Sequence, residues 1–185
     1  MIIDILAGNF VKLRCANQAD AEFTLAIRQD PEITKILPPI HNTLEQQREW
    51  LLKQIVAEDS CFLIIENLQG KALGTLSFYN IDWENRVCEM GRLCSYGTPV
   101  ENIEANVLLT DYLFMELKFV KLTGQVQLAN IHVKSYNERF GYEYIRNAYM
   151  EWGGEHALYE LYPDKYYAKR KKIMLLLDSV KMKGL

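Results

Sequence analysis

Apolar and polar positions change rhythm twice along this chain of 185 residues. Val11 to Cys15 alternates with the two-residue period of a half-buried strand. Asp20 to Arg28 then sets Phe23 and Ile27 four apart, the spacing of one helix face. Asp30-Pro31-Glu32 reads as a cap, a proline at the first helical position and an acid in the first turn; it predicts a short helix that Pro38-Pro39 stops. Thr43 with Gln46 forms a capping box, and a helix is expected from there to about Ala57, with Trp50 and Leu51 inward.

The period then shortens. Cys61–Ile65, Leu73–Ile81 and Arg86–Ser95 are apolar or alternating runs separated by short polar turns, the first by Gln69-Gly70, and they predict an antiparallel meander. A long helix is expected from Pro99 to Lys118, with Ile103, Val107, Phe114 and Leu117 on one stripe. Val126 and Leu128 mark another strand. Val133, Tyr136 and Phe140 mark a short helix that Gly141 ends in the left-handed conformation. Strands from Tyr142 and over Ala157–Leu161 follow, then a helix from about Asp164. The order β-α-α-β-β-β-α-β-α-β-β-α requires a helical crossover after the meander. The predicted class is therefore α+β, a mixed sheet with helices on both faces, in one domain spanning 1–185.

Composition narrows the function. Hydrophobic residues make up 49% and charged residues 24%, the balance of a folded globular chain. A formal net charge of −3 argues against a nucleic-acid ligand. No run approaches the ~20 apolar residues of a membrane span. The first residues, interrupted by Asp4, lack the basic start of a signal peptide. Cys15, Cys61, Cys88 and Cys94 show no Cys-x-x-Cys spacing and read as reduced thiols, so a cytoplasmic location is expected. His41, His132 and His156 are scattered, and no metal is expected. Lys169-Arg170-Lys171-Lys172 reads as a solvated helix face. The aromatic group Tyr149, Trp152, Tyr159, Tyr162, Tyr166 and Tyr167 reads as core and sheet surface, an exposed part of which would serve a homodimer.

The segment Glu89-Met90-Gly91-Arg92-Leu93-Cys94-Ser95-Tyr96-Gly97-Thr98-Pro99-Val100-Glu101 carries the most chemistry. A strand ends, a tight turn follows, and Thr98, Pro99 and Glu101 open a helix with a second capping box. Such a terminus presents amides and a dipole to an anion, although most helix starts bind only water. Glu89 is a candidate carboxylate for proton transfer, and an exposed strand acid pairing with Arg86 or Lys71 is its bland alternative. Asp82 is the other candidate carboxylate.

With Val11-Lys12-Leu13-Arg14, Arg28-Gln29-Asp30-Pro31-Glu32-Ile33, Gly74-Thr75, Glu104-Ala105 through Asp111-Tyr112, Asn130, and Asn137-Glu138-Arg139-Phe140-Gly141-Tyr142 in this order, the chain resembles the GNAT N-acetyltransferases. The nearest branch is that of ribosomal-protein N-terminal and amino-sugar acetyltransferases. The resemblance implies a central mixed, mostly antiparallel sheet, splayed at its middle strands. It implies acetyl-CoA as donor and a small-molecule or peptide amine as acceptor, attacked directly. It assigns the pantetheine arm to Leu93 and Cys94, the diphosphate to Gly97, Thr98, Val100, Glu101, Asn102 and Ile103, and a cofactor contact to Asn130. Thr98 and Val100 stand where the family has glycines, and Asn137 stands at the catalytic position where it often has a tyrosine. Leu37, Tyr79, Asp82 and Trp83 would line the acceptor side. A diphosphate there requires amides between Tyr96 and Asn102 that the loop does not itself consume.

Overall fold

A computed structural model describes residues 4–151 and 154–183; Trp152, counted above among the aromatic group, lies outside the described residues. Eight strands form one sheet in the order β1-β2-β3-β4-β5-β6-β8-β7: β1 (Leu6–Ala7), β2 (Val11–Cys15), β3 (Ser60–Asn67), β4 (Ala72–Asp82), β5 (Val87–Ser95), β6 (Lys121–Gln127), β7 (Glu143–Met150) and β8 (Gly154–Leu161). Every neighbouring pair is antiparallel except β5 and β6, which run parallel. The crossover between them is α3 (Pro99–Asp111), as the order of periods predicts.

Alternation on β3 explains the layers. Cys61, Leu63 and Ile65 point to one face and join the main core with Leu109 and Leu113 and with Tyr166 and Leu177 of α5 (Pro163–Met182). Phe62 and Ile64 point to the other face and meet Ala21 of α1 (Ala21–Gln29) and Leu51 of α2 (Leu44–Val56). Both predicted capping boxes form. Thr43 and Gln46 exchange hydrogen bonds at the start of α2, and Thr98 and Glu101 do so at α3. Gly141 closes α4 (Ile131–Phe140) at φ +96°, a conformation that glycine adopts without a Cβ penalty.

Besides the short edge strand β1, which the sequence pattern does not predict, three elements differ from expectation. Residues 31–37 are turns, not a helix. Thr34 N–H donates to Asp30 O, but the chain ahead is Pro38-Pro39 and cannot continue the turn. The helix after Pro99 does not run as α-helix to Lys118. It widens into a π turn over Tyr112–Glu116, where Leu117 N–H donates to Tyr112 O, and both Leu113 and Phe114 reach the core. Strand β6 starts at Lys121 rather than near Val126, because Thr123, Gly124 and Gln125 mask its alternation of buried Leu122 and Val126.

Helix α3 is pinned at its middle and at its C-terminal end. Buried Glu104 accepts three main-chain amides from the turn before β2, Asn9 at 2.7 Å, Phe10 at 2.6 Å and Val11 at 2.9 Å. A Cβ at Gly8 would collide with that carboxylate. At its C-terminal end, Asp111 accepts the Tyr166 hydroxyl at 2.8 Å and a bidentate pair from Arg170, each at 2.7 Å. Glu104→Ala leaves three amides without an acceptor, so it is expected to cost about 3 kcal/mol in urea unfolding. A loss within ~0.5 kcal/mol, as for an ordinary surface change, would show that the anchor carries no weight.

Candidate active site

Strand β5 faces two partners that part company. It follows β4 through pairs that include Tyr79↔Glu89, Phe78↔Met90 and Thr75↔Cys94. It pairs with β6 only at Val87↔Lys121, Cys88↔Leu122 and Glu89↔Thr123. Beyond Glu89 no ladder pair joins the two strands, while β6 stays with β8 as far as Gln127↔His156. The sheet therefore forks just past Glu89. The cause lies in a bulge: Ser77 pairs with Gly91 but Thr75 pairs with Cys94, so β5 carries an extra residue there. Arg92 sits in the bulge at φ +57°, a left-handed backbone that costs a branched-off side chain energy unless its surroundings hold it. They do hold it. Thr75 Oγ1 donates to Arg92 O at 2.9 Å, and the guanidinium donates to Gln54 Oε1 at 2.8 Å. The same group lies 4.1 Å from the Tyr79 ring centroid and 5.9 Å from that of Trp50.

At the apex, the Glu89 carboxylate is clamped by three neutral donors, two from β4 and one from β6. Tyr79 Oη donates to Oε1 at 2.8 Å, Gln125 Nε2 to Oε1 at 2.8 Å and Asn80 Nδ2 to Oε2 at 3.1 Å. Its partners are thus neither Arg86 nor Lys71, and the bland pairing considered above does not form. With two acceptor positions on each oxygen, Oε1 is filled and Oε2 keeps one. Burial, seconded by the Glu89 charge, pushes the Tyr79 phenol far above its ordinary value, so it remains a donor. A cavity of about 310 Å³ opens beside Glu89, lined also by Gly124, Gln125, Arg146 and Tyr159. A hollow of about 370 Å³ between α5 and the π turn is larger, but its Arg170 is committed to Asp111.

The residues expected on the donor side fall along the fork's β5 arm and the loop after it. Leu93 is exposed, whereas Cys94 is buried, its thiol pushed up by that burial. The loop does not offer the free amides that a diphosphate requires. Tyr96 N–H donates to Leu73 O, Gly97 N–H to Ser95 Oγ at 2.9 Å, Thr98 N–H to Glu101 Oε2 at 2.7 Å, Glu101 N–H to Thr98 Oγ1 at 3.3 Å and Asn102 N–H to Thr98 O at 3.0 Å. Pro99 has no N–H, which leaves Val100 alone. Ile103 begins the in-helix ladder and packs against the core. Asn130 Oδ1 accepts from Val133 N–H and so caps α4.

Asn137 is buried on α4. Beside it, Tyr136 Oη donates to Asn102 O at 3.4 Å, and its ring stacks on Phe140 and packs against the core; burial raises its phenol well above the ordinary value. Of the residues expected to line the acceptor side, Leu37 is half-buried in the turn after Asp30. Asp82 spends both oxygens on Asn85, and Trp83 donates to Glu58 O while leaning on Phe119. Neither is a partner of Glu89. Sequence reasoning missed Asn80, Gln125, Arg92 and Arg28. Arg28, on α1, donates to Pro38 O at 3.1 Å, while its Nη1 is buried without a partner, and no ion pair engages it among the described residues.

Tyr79 and Gly91 are matched. A Cβ at Gly91 would lie 2.8 Å from the Tyr79 hydroxyl oxygen. Gly91→Ala is expected to drive that hydroxyl off Glu89 and to cost about 1–2 kcal/mol of stability, as Tyr79→Phe does. The two losses should be clearly less than additive in a double-mutant cycle. Additive losses would show that Gly91 acts independently of the clamp.

An acetyltransferase (GNAT) domain model matches residues 11–143. No curated protein matches the chain significantly in sequence. Among solved structures, a GCN5-related N-acetyltransferase from Brucella melitensis is similar with a TM-score of 0.78 at 19% identity, over 94% of this chain and 85% of that one. FdhC, described as a nucleotide-linked sugar GNAT, gives 0.77 at 19%, over 93% and 96%. A spermidine N-acetyltransferase from Vibrio cholerae in complex with CoA and spermine gives 0.75 at 16%, over 85% and 98%.

Proposed function

The chain belongs to the GNAT acetyltransferase family, and we propose that it transfers an acetyl group from acetyl-CoA to a primary amine by direct attack at the fork past Glu89. The observation that carries this reading is the position of Glu89. It is the last β5 residue paired to β6, and it is held by three neutral donors with one acceptor position open. A thioester lying along the fork supplies the acyl carbon, its carbon–sulfur bond breaking as the amide forms.

The chain's own residues act on the amine. An alkylammonium must lose a proton before its nitrogen can attack, and Glu89 Oε2 is where that proton goes, directly or through one water. Tyr79, Gln125 and Asn80 fix the carboxylate so that this open position keeps one direction. Asn137 has no acidic proton, and the Tyr136 hydroxyl is turned to Asn102 O, so proton return to the sulfur falls to solvent. Direct attack is supported by the cysteines: burial raises the thiols of Cys94 and Cys88, the latter to about 12, away from the thiolate that a covalent route would need.

The acceptor in this reading is an amine that also bears an anionic group, such as a nucleotide-linked amino sugar. Arg28 and Arg92 both belong to the face of the sheet that α1 and α2 cover. Arg28 is near enough to Cys94 to pull its thiol down against burial, and it has no carboxylate partner among the described residues. A cationic polyamine would meet these two charges unfavourably, and FdhC, the nucleotide-linked sugar GNAT, offers an analogy of fold for the anionic case. Four cysteines without a disulfide agree with a reaction in the cytoplasm.

Glu89→Gln is expected to lower kcat by about 10²–10⁴-fold while leaving donor affinity unchanged in calorimetry. A full-rate variant would remove Glu89 from the mechanism. In a panel of amines followed by release of free CoA, a nucleotide-linked amino sugar should be acetylated with higher kcat/KM than spermidine. The reverse order would overturn the anionic-acceptor reading.

A further inference from the structure

The N-terminus of α3 opens beside the β5 arm of the fork, where amides and the helix dipole together would draw an anion. An anion is already there. Glu101 Oε2 takes the Thr98 amide at 2.7 Å and the Thr98 hydroxyl at 2.9 Å, while Thr98 Oγ1 takes the Glu101 amide in return. Ser95 Oγ holds the Gly97 amide, and the Asn102 side chain donates to Gly97 O at 3.2 Å. The space on the Gly97 side is bordered by acceptors as well. A Cβ at Gly97 would meet Ser95 Oγ at 3.0 Å, Glu101 Oε2 at 3.3 Å and Asn102 Oδ1 at 3.4 Å. Asn102 Oδ1 is itself buried without a donor. A diphosphate entering here would lose the amides and meet like charge and lone pairs.

We infer that the Glu101 carboxylate is a resident anion in the seat of the donor's diphosphate, so that this protein grips its acyl donor by the pantetheine arm along the fork and gains little from the adenosine diphosphate end. The inference rests on the donor cleft proposed above. It deepens that reading by making acyl-pantetheine thioesters in general, rather than acyl-CoA in particular, the class of donor. Cost and benefit divide along the ligand: the unpaired edge of β5 past Glu89 remains open to the arm's amides, whereas the loop has no amide to spare but that of Val100.

Calorimetric titration of the full chain with CoA and with pantetheine tests this without acceptor or turnover. The wild type should bind CoA no more than about tenfold more tightly than pantetheine. Glu101→Gln keeps a side-chain oxygen for the cap but removes the charge, and thermal unfolding confirms that it folds. It should bind CoA at least about tenfold more tightly than the wild type, with pantetheine unchanged. A wild type that prefers CoA over pantetheine by more than about tenfold, or a Glu101→Gln variant with the wild-type CoA affinity, would overturn the inference. Pantetheine binding to neither protein removes the cleft reading itself. CoA then decides the seat alone: tight binding by the wild type counts against a resident anion, and binding gained only in Glu101→Gln supports it.

Discussion

Strand β5 is asked to obey two neighbours, and it obeys β4. Its ladder with β4 runs nearly its full length, whereas its parallel ladder with β6 ends after three pairs. The bulge at Arg92 and Leu93 turns β5 away, and six consecutive pairs to β8 keep β6 from following. A left-handed Arg92 is the local cost of that geometry, on the order of 1–3 kcal/mol. Thr75, Gln54, Tyr79 and Trp50 together offset it. The fork, with half-buried Glu89 at its apex and a cavity beside it, lies where β5 leaves β6.

The same face shows how a carboxylate is held without an ion pair. Glu89 is held by a phenol and two amides, groups that orient a carboxylate without neutralising it. Contrast the structural carboxylates. Asp111 is locked by Arg170, and Glu104 fills its oxygens with three main-chain amides; both fix α3 and so fix where its N-terminus points. Each of the three carboxylates accepts three hydrogen bonds, and they differ in the donors: neutral side chains at Glu89, main-chain amides at Glu104, and a phenol with a guanidinium at Asp111.

Much of the architecture was legible because it is local. The meander follows from alternation between Cys61 and Ser95, and the helix starts follow from Thr43 with Gln46 and from Thr98 with Glu101. Gly141 announced the end of α4. What stayed hidden depends on pairings across the chain. No composition marks Arg92 as a bulge, because strand propensity does not record register. Gln125 reaches Glu89 across 36 residues of sequence, and its strand was obscured by the very polar residues that serve the site. The second capping box is instructive in another way. The residues that identify Thr98–Glu101 as a helix start are the ones that consume its amides, so the sequence sign of an anion seat was also the sign of its tenant.

The central claim is that chemistry occurs in the fork that opens where β5 leaves β6. A crystal structure of the protein soaked with acetyl-pantetheine, or with a non-hydrolysable thioether analogue of it, tests this most directly. The arm should lie between residues 90–95 and 124–127, with its sulfur near the Glu89–Thr123 pair. An arm bound elsewhere on the sheet, or a fork that has closed into continuous β5–β6 pairing, would contradict the account.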